Sequence, residues 1–349
     1  MRDLTRLYDD FFGLRERPFS LLPDPDFLFW SGPHQKAYTM LEYGMATHAP
    51  ITMITGEIGS GKTTLVRKLL NDIPADFSVG LISNAQGDRG ELLHWVLMSL
   101  GQPVEPGLGY VALFRQFQDF LIDEYAAGRR TALIFDEAQN LSPLALEELR
   151  MFSNINADKD QLLQLILVGQ PELRELVRQP VLQQFAQRIA SDFHLRAFTA
   201  EESDAYILHR LAHAGASREV IDAAARAMIH VAGRGIPRLI NQLCDYALVY
   251  AYSEERPVVD ASLVREVLED RRHSGMFRVD EALTMALPPV AAGSWPAPDA
   301  GQGGDQGAGT GDAAGTSGDA PGWSSEPQES SAQDDGDRNV FYGVWDRQV

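Results

Sequence analysis

The stretch that decides the fold reads Ile51-Thr-Met-Ile-Thr-Gly-Glu-Ile-Gly-Ser-Gly-Lys-Thr-Thr64. A short β-branched run ends at Gly56, and residues 56–63 fit the pattern G-x-x-x-x-G-K-[ST]. An apolar helical pattern follows at residues 65–70. Strand, glycine loop and helix in this order are the setting in which the pattern forms a phosphate-binding loop. The sequence therefore predicts a P-loop that holds a nucleoside triphosphate, in preference to a glycine turn that merely joins strand to helix.

The P-loop pattern assigns a role to each part of the stretch. The backbone N–H groups of the loop turn inward around phosphate oxygens, at a helix start whose dipole favours anions. Lys62 is expected to reach the β- and γ-phosphates of ATP, and Thr63 to place its hydroxyl on Mg²⁺. The residues predicted to bind the nucleotide here are Gly56, Glu57, Ile58, Gly59, Ser60, Gly61, Lys62, Thr63 and Thr64.

A second apolar strand, Ala132-Leu-Ile-Phe135, is followed by two acids, Asp136 and Glu137. Strand ends often carry acids, but this pair lies about 75 residues after the P-loop with a β-α pattern between them. Ligands collect at the carboxyl ends of the strands in an open α/β sheet, so the pair is predicted to be a Walker B motif. Asp136 is expected to hold Mg²⁺ through water. Glu137 is expected to orient and polarise the water that attacks the γ-phosphate.

Three further polar residues are candidates for catalysis. Gln170 follows an apolar strand at 162–169 and is expected to sense the γ-phosphate or position water, unless it only forms a turn. Arg188 precedes a short edge strand at 191–195; it is predicted to be an arginine finger for a neighbouring subunit's nucleotide, with a surface ion pair as the alternative. Arg238 lies near the start of a helix after Pro237 and is expected to contact phosphates.

The predicted organisation has five parts. An extended aromatic and proline-rich segment occupies 1–34, a P-loop α/β domain with five strands 35–198, and a helical lid 199–272, with helices at about 200–214, 217–231, 236–252 and 260–271. A disordered acidic linker at 273–338 precedes an aromatic tip at 339–349. The N-terminal segment is expected to lie over the domain surface. Phe19 and His34 are candidates for contact with adenine, unless they only pack the segment down.

The aromatic tip at 339–349 resembles a short peptide on a flexible tether. Such a peptide docks on a partner or back onto its own chain, and a terminus without a role is the third possibility.

Composition narrows the function classes. The net charge is −19, and residues 281–349 hold eleven acids and two arginines, so almost half of the excess lies in this tail. No part offers the basic field that non-specific DNA binding needs, so strong nucleic-acid binding is not expected. The single cysteine, Cys244, cannot form an internal disulfide and fits a reducing cytosol. Without a signal peptide or an apolar run of about 20 residues, the chain is expected to be cytoplasmic.

The order of these motifs resembles AAA+ ATPases over residues 35–272. Shorter blocks resemble one branch, the secretion ATPases of the general secretion pathway protein A type. These blocks are Phe11-Phe-Gly-Leu, Arg17-Pro-Phe, Pro23-Asp-Pro, Phe27-Leu-Phe, residues 31–34, the loop 56–64, Asp136-Glu-Ala-Gln-Asn-Leu141, Leu149-Arg-Met-Phe-Ser-Asn154 and Val168-Gly-Gln-Pro-Glu-Leu173. The resemblance implies an α/β P-loop AAA+ core of five parallel strands, a small helical lid, ATP hydrolysis with Mg²⁺, and a homo-oligomer, a ring or dimer.

That branch commonly continues into a membrane helix and a peptidoglycan-binding domain, and neither is expected here. The plan is more similar to ATPases encoded with exosortase/PEP-CTERM and exopolysaccharide-export systems. The leading hypothesis is therefore an ATPase that assembles or energises an envelope export apparatus, recruited to the inner face of the cytoplasmic membrane by a partner. The alternatives are an ATP-gated DNA-handling regulator of the transposition or replication-loading kind, and a nucleotide-dependent scaffold with slow hydrolysis.

Overall fold

The structure, a computed structural model, describes residues 7–22, 24, 27–83, 91–157, 160–273 and 340–342. The helices are α1 (Asp9–Phe12), α2 (Gly32–Ala46), α3 (Lys62–Asp72), α4 (Glu91–Ser99), α5 (Tyr110–Ala126), α6 (Pro143–Phe152), α7 (Pro171–Val177), α8 (Gln183–Ala186), α9 (Ala200–His213), α10 (Ala223–Gly233), α11 (Pro237–Ser253) and α12 (Ala261–His273). The strands are β1 (Ile51–Gly56), β2 (Phe77–Ser83), β3 (Arg130–Asp136), β4 (Asn156–Ala157), β5 (Asp160–Gln161), β6 (Leu163–Gly169), β7 (Ile189–Leu195) and β8 (Val340–Tyr342).

The main sheet is parallel, with strand order β7-β1-β6-β3-β2-β8. Its first five strands form the α/β core that the sequence predicts, and β4 and β5 pair separately as a small antiparallel hairpin. Strand β6 lies between β1 and β3, so the ends of these three strands meet at one edge. The P-loop, the Asp-Glu pair and Gln170 follow these ends, which brings the predicted catalytic residues together.

Helices cover both faces of the sheet. One apolar cluster joins β3 and β6 to α4, α5 and α6, and a second joins the opposite face to α2 and α3. The strands β1, β3 and β6 are buried almost throughout, as strands covered on both faces must be. Within the described residues, no helix is long and apolar enough to cross a membrane.

Helices α9 to α12 form the lid around a core of their own. A capping box starts α9, because Thr199 accepts from the Glu202 N–H while the Glu202 side chain accepts from the Thr199 N–H. Cys244 is fully buried in this core, as its apolar surroundings in the sequence indicate. Helix α10 begins at 223 rather than 217, since the preceding residues form a bridge between Ile221 and Val259.

The described part of the N-terminal segment packs mainly on the lid, while its Leu28 packs against the apolar cluster of α2, α3 and the sheet. Tyr8, Phe12 and Phe19 are buried in the lid core. The Tyr8 hydroxyl and the Arg17 guanidinium both bond to Asp245 on α11, and Arg17 pairs with it at 2.7 Å. Aromatic residues therefore fix residues 8–19 to the lid.

The edge strand expected at 191–195 is longer in the structure, since β7 begins at Ile189, directly after Arg188. At the tip, β8 pairs in parallel with the outer edge of β2, with Phe341 opposite Gly80. Of the linker expected at 273–338, the structure describes only His273, which ends α12; its other residues and the rest of the tip lie outside the described residues.

Candidate active site

The P-loop joins the buried strand β1 to α3. Gly59 and Gly61 have φ of 82° and 98°, in the left-handed region that glycine adopts without strain. A Cβ on Gly61 would lie 2.8 Å from the His34 ring, and one on Gly59 would lie 2.4 Å from the Arg238 Cβ. At either position a residue other than glycine would strain the backbone, and its Cβ would also clash with a neighbouring side chain.

Lys62 is buried at the first turn of α3. Its ammonium group donates to the carbonyl oxygens of Gly56 at 2.7 Å and Glu57 at 2.9 Å. Burial lowers the pKa of Lys62, while the nearby carboxylates of Glu137 and Asp136 act in the opposite direction. The lysine is held inside the loop, facing the acids of the neighbouring strand.

Thr63 and Asp136 come from the two Walker motifs and are in direct contact. The Thr63 hydroxyl donates to Asp136 Oδ2 at 3.1 Å. Burial raises the pKa of Asp136, against the opposing effects of hydrogen bonds from the Glu137 N–H and Thr63. A buried carboxylate beside a hydroxyl offers the oxygen donors that Mg²⁺ prefers.

Glu137 is held by two amide side chains. It adopts φ of 55°, an uncommon left-handed conformation for a residue other than glycine, at the turn that follows β3. Its Oε2 accepts from Gln139 Nε2 at 2.6 Å and from Gln170 Nε2 at 3.1 Å. Gln139 Oε1 in turn accepts from the Gln170 N–H at 3.0 Å. The three residues form a closed network that fixes the carboxylate.

The charge state of Glu137 follows from this network. Burial alone would raise its pKa, but the hydrogen bonds from Gln139 and Gln170 and the charge of Lys62 outweigh burial, so the pKa lies below its ordinary value. Glu137 is therefore ionised at neutral pH and can accept a proton or a hydrogen bond from water.

The lid closes onto the P-loop at the start of α11. The Arg238 N–H donates to the Gly59 carbonyl at 3.2 Å. Behind it, Phe198 N–H donates to the Gly235 carbonyl at 2.8 Å, where a Cβ on Gly235 would lie 2.2 Å from the Phe198 oxygen. The exposed guanidinium of Arg238 is thus carried to the phosphate-binding loop by backbone contacts.

A cavity of about 180 Å³ lies between the P-loop, the lid and residues 20–22, 24, 27–29 and 34. The predicted site residues that line it are Ile58, Gly59, Gly61, Lys62, Thr63, Thr64, Glu137 and Arg238. Asp136 and Gln170 do not line the cavity themselves. Each is hydrogen-bonded to a residue that does, Asp136 to Thr63 and Gln170 to Glu137. The structure therefore brings the Walker motifs, Gln170 and the lid arginine to one place.

The two aromatic candidates for adenine contact lie in different places. Phe19 is buried in the lid core. His34 lines the cavity but is 3% exposed, and its Nε2 is 2.9 Å from the Ser60 carbonyl while Nδ1 is 2.7 Å from the Ser31 hydroxyl. Burial lowers its pKa. A neutral His34 therefore braces the back of the P-loop.

Arg188 lies away from the cavity of its own chain. It donates to the Ser153 carbonyl at 3.2 Å and to the Asn154 side chain, at the end of α6. In the described part of the chain it forms no ion pair with a carboxylate. The groups that hold Arg188 at the end of α6 are thus neutral, and within the described residues no carboxylate pairs with its positive charge.

Sequence reasoning missed the role of Gln139. It lies two residues after Glu137, in the 3-10 turn Ala138–Asn140, so its side chain turns back to Glu137 and reaches the end of β6. A Cβ on Gly169 would lie 2.9 Å from Gln139 Oε1, so the glycine at the end of β6 leaves room for it. The one signal in the sequence is the glutamine in Asp136-Glu-Ala-Gln139, but only tertiary contacts show its partners.

The residues present fit a nucleotide with its metal. The P-loop turns with positive φ at Gly59 and Gly61, and its buried Ser60 hydroxyl has no hydrogen-bond partner. Thr63 and Asp136 supply oxygen donors next to this loop. Phosphate oxygens would satisfy the loop's donors, and a divalent cation would fit the Thr63–Asp136 pair.

Comparison with known proteins agrees with this geometry. The family described as AAA domain matches residues 45–177. General secretion pathway protein A of Aeromonas hydrophila is 36% identical over 292 residues, which is 83% of this chain and 53% of that protein. The chain thus spans about half the length of this relative.

Two solved structures show the same fold. Cdc6p from Pyrobaculum aerophilum superposes with a TM-score of 0.58 at 19% identity, covering 76% of this chain and 75% of that one. The Aeropyrum pernix ORC2 protein, in ADPNP–ADP complexes, gives a TM-score of 0.52 at 17% identity, covering 68% and 67%. Both likenesses concern the fold alone.

Proposed function

Because this chain is an AAA+ P-loop ATPase similar to general secretion pathway protein A, we propose that its ATP hydrolysis assembles or energises a bacterial envelope secretion system. Within that class we assign it to exopolysaccharide export of the exosortase-associated kind. One observation carries the catalytic part of the proposal: an ionised Glu137, fixed by Gln139 and Gln170, stands beside the Thr63–Asp136 pair and Lys62.

The P-loop residues 56–64 bind the triphosphate through their backbone N–H groups. Lys62 exchanges its bonds to the Gly56 and Glu57 carbonyls for phosphate oxygens. Thr63 and Asp136 would hold Mg²⁺, which would supply positive charge against the phosphates. Glu137 orients the attacking water, and Gln170 sets the direction of that carboxylate at the end of β6.

Arg238 and Arg188 complete the phosphate environment from two directions. Arg238 comes from the lid of the same chain, where its N–H bond to Gly59 ties lid position to the P-loop. Arg188 acts in trans, as an arginine finger on the neighbouring subunit's nucleotide, and so requires a homo-oligomer, a ring or dimer. Its position outside its own cavity and its lack of a described carboxylate partner support this role.

The envelope role rests on the similarity to general secretion pathway protein A, whose name states its pathway. We propose that this chain works in the cytoplasm and is recruited to the inner face of the membrane by an export-complex protein. Strong binding to nucleic acid is not part of this role.

The catalytic part is tested by phosphate release from purified protein. Glu137→Gln should retain ATP binding and lose hydrolysis by on the order of a hundredfold or more, because the water loses its orienting carboxylate. Glu175→Gln, an exposed acid on α7, is the matched control and should hydrolyse ATP at the wild-type rate. Wild-type turnover in Glu137→Gln would remove the assignment. Strong DNA stimulation at physiological salt would favour a DNA-handling role instead.

The export part is tested in the native cell. A deletion strain complemented with the wild-type gene should restore secreted polysaccharide, whereas Glu137→Gln should not, at equal protein level. Normal polysaccharide export with Glu137→Gln would contradict the proposed coupling.

A further inference from the structure

A buried arginine of the lid, Arg210 on α9, lines the same cavity as the exposed Arg238. It is 6% exposed. Its Nε donates to the Pro18 carbonyl at 2.5 Å, and its Nη1 donates to the Tyr206 hydroxyl at 2.9 Å. Its guanidinium lies 4.6 Å from the centre of the Phe27 ring. These contacts fix the orientation of the whole side chain.

The remaining nitrogen, Nη2, is buried and has no hydrogen-bond partner. Among the described residues no carboxylate forms an ion pair with Arg210. The other buried lid arginine, Arg226, is equally hidden but is paired with Asp204 at 2.6 Å and Glu219 at 3.2 Å. A buried charged donor without a partner is costly, and Arg210 lines a cavity, so an acceptor atom of a ligand in that cavity would satisfy this donor.

The position of Arg210 indicates which part of a nucleotide it meets. Gly59, Gly61 and Lys62 mark the phosphate end of the cavity. Arg210 is tied instead to the N-terminal segment through Pro18 and Phe27. Its partner Tyr206 donates to Asn241 at 2.8 Å, and Asn241 donates to the Ser20 carbonyl at 3.3 Å. The cavity lining also includes apolar and aromatic side chains of the N-terminal segment, together with the polar Ser20 and Asp24, and such a mixture suits a nucleoside.

We propose that Arg210 recognises the nucleoside half of the bound nucleotide, by donating its Nη2–H to an acceptor atom of the purine ring or the ribose. The proposal rests on the nucleotide site proposed above. The same guanidinium also bonds to Pro18 of the N-terminal segment and to Tyr206 of the lid. Arg210 therefore links both segments to the bound nucleoside.

The test measures equilibrium binding of Mg-ATP and of inorganic tripolyphosphate to the full chain. Arg210→Lys keeps the charge, and Arg210→Met keeps the packing on Phe27 without donors. Both should weaken ATP binding by about tenfold, the effect of one charged hydrogen bond, and leave tripolyphosphate binding unchanged. Arg226→Lys is the matched control for loss of a buried lid guanidinium and should leave both affinities unchanged.

ATP analogues then identify the acceptor. The analogues are 1-deaza-, 3-deaza-, 7-deaza- and 2′-deoxy-ATP. The wild type should bind one of them about as weakly as Arg210→Lys binds ATP. The substitution Arg210→Lys should then cause no further loss of affinity for that analogue. A loss at a deaza analogue assigns the contact to the base, and a loss at 2′-deoxy-ATP assigns it to the ribose.

Three results would overturn the role of Arg210 without affecting the proposed nucleotide site. The first is unchanged ATP affinity in both variants, and the second is equal weakening of ATP and tripolyphosphate binding. The third is the same ratio of wild-type to variant affinity for ATP and for every analogue. If the wild type bound neither ATP nor tripolyphosphate, the nucleotide site itself would be refuted.

Discussion

The backbone N–H of Arg238, at the start of α11, donates to the carbonyl oxygen of Gly59 in the P-loop at 3.2 Å. The lid thus contacts the phosphate-binding loop through main-chain atoms. This backbone bond positions Arg238 at the loop without a hydrogen bond from its guanidinium. A change in the loop that moves this carbonyl should also move the lid. We therefore expect nucleotide binding and lid position to be coupled through Gly59.

Gly59→Ala should separate this coupling from ordinary backbone strain. The new Cβ would lie 2.4 Å from the Arg238 Cβ, so the lid must move away, and we expect ATP affinity to fall at least tenfold. Gly107→Ala is the control, since Gly107 has φ of 87° and a Cβ there would meet nothing within 4 Å. Both variants should lose about 1–2 kcal/mol of unfolding free energy. Equal ATP affinity in the two variants would contradict the coupling.

Gln139→Ala should change the pH dependence of hydrolysis. Hydrogen bonds from Gln139 and Gln170 lower the pKa of Glu137, and the ionised form is the active one, so activity is present above that pKa and lost as pH falls through it. Removing one donor raises the pKa. The acid limb of kcat should move to higher pH, and kcat at neutral pH should fall roughly tenfold with KM unchanged.

The control for this pH profile is Gln183→Ala, an exposed glutamine on α8 that should leave the profile unchanged. An acid limb at the same pH in Gln139→Ala and in the wild type would show that Gln139 does not tune Glu137.

Arg188→Ala should lower hydrolysis by on the order of a hundredfold if the arginine acts in trans. The decisive measurement mixes two inactive variants. Subunits with Arg188→Ala retain Glu137, and subunits with Glu137→Gln retain Arg188, so a mixed oligomer contains some complete sites and should regain activity. The exposed Arg178→Ala should behave as wild type. No recovery in the mixture, with both variants still oligomeric, would rule out the trans role.

Removal of residues 339–349 should expose the outer edge of β2. Strand β8 pairs with residues 79–81 of β2, so hydrogen exchange at these amides should become faster without it. Exchange in β3, which is paired on both sides by β2 and β6, is the internal control and should not change. An open parallel edge also favours self-association, which light scattering would detect. Unchanged exchange in β2 would mean that the tip does not protect this edge.

Some of the fold and the site could be predicted from local patterns. The P-loop pattern, the apolar run ending in Asp136 and the capping box at Thr199 each depend on neighbours in sequence. Other features depend on distant contacts. Tyr8 and Phe19 resemble surface aromatics in the sequence because their partner, the lid core, begins about 180 residues later.

The sequence by itself determined that this chain has a nucleotide-binding α/β core with a helical lid, because strand, glycine loop, helix and acid pair are encoded by residue type and short spacing. Tertiary structure alone decided how these parts meet. Strand order brings Gln170 between the Walker motifs, the 3-10 turn returns Gln139 to Glu137, and the lid presents Arg238 and Arg210 to one cavity. Such contacts join residues far apart along the chain, and burial and hydrogen-bond geometry decide them only in the folded state.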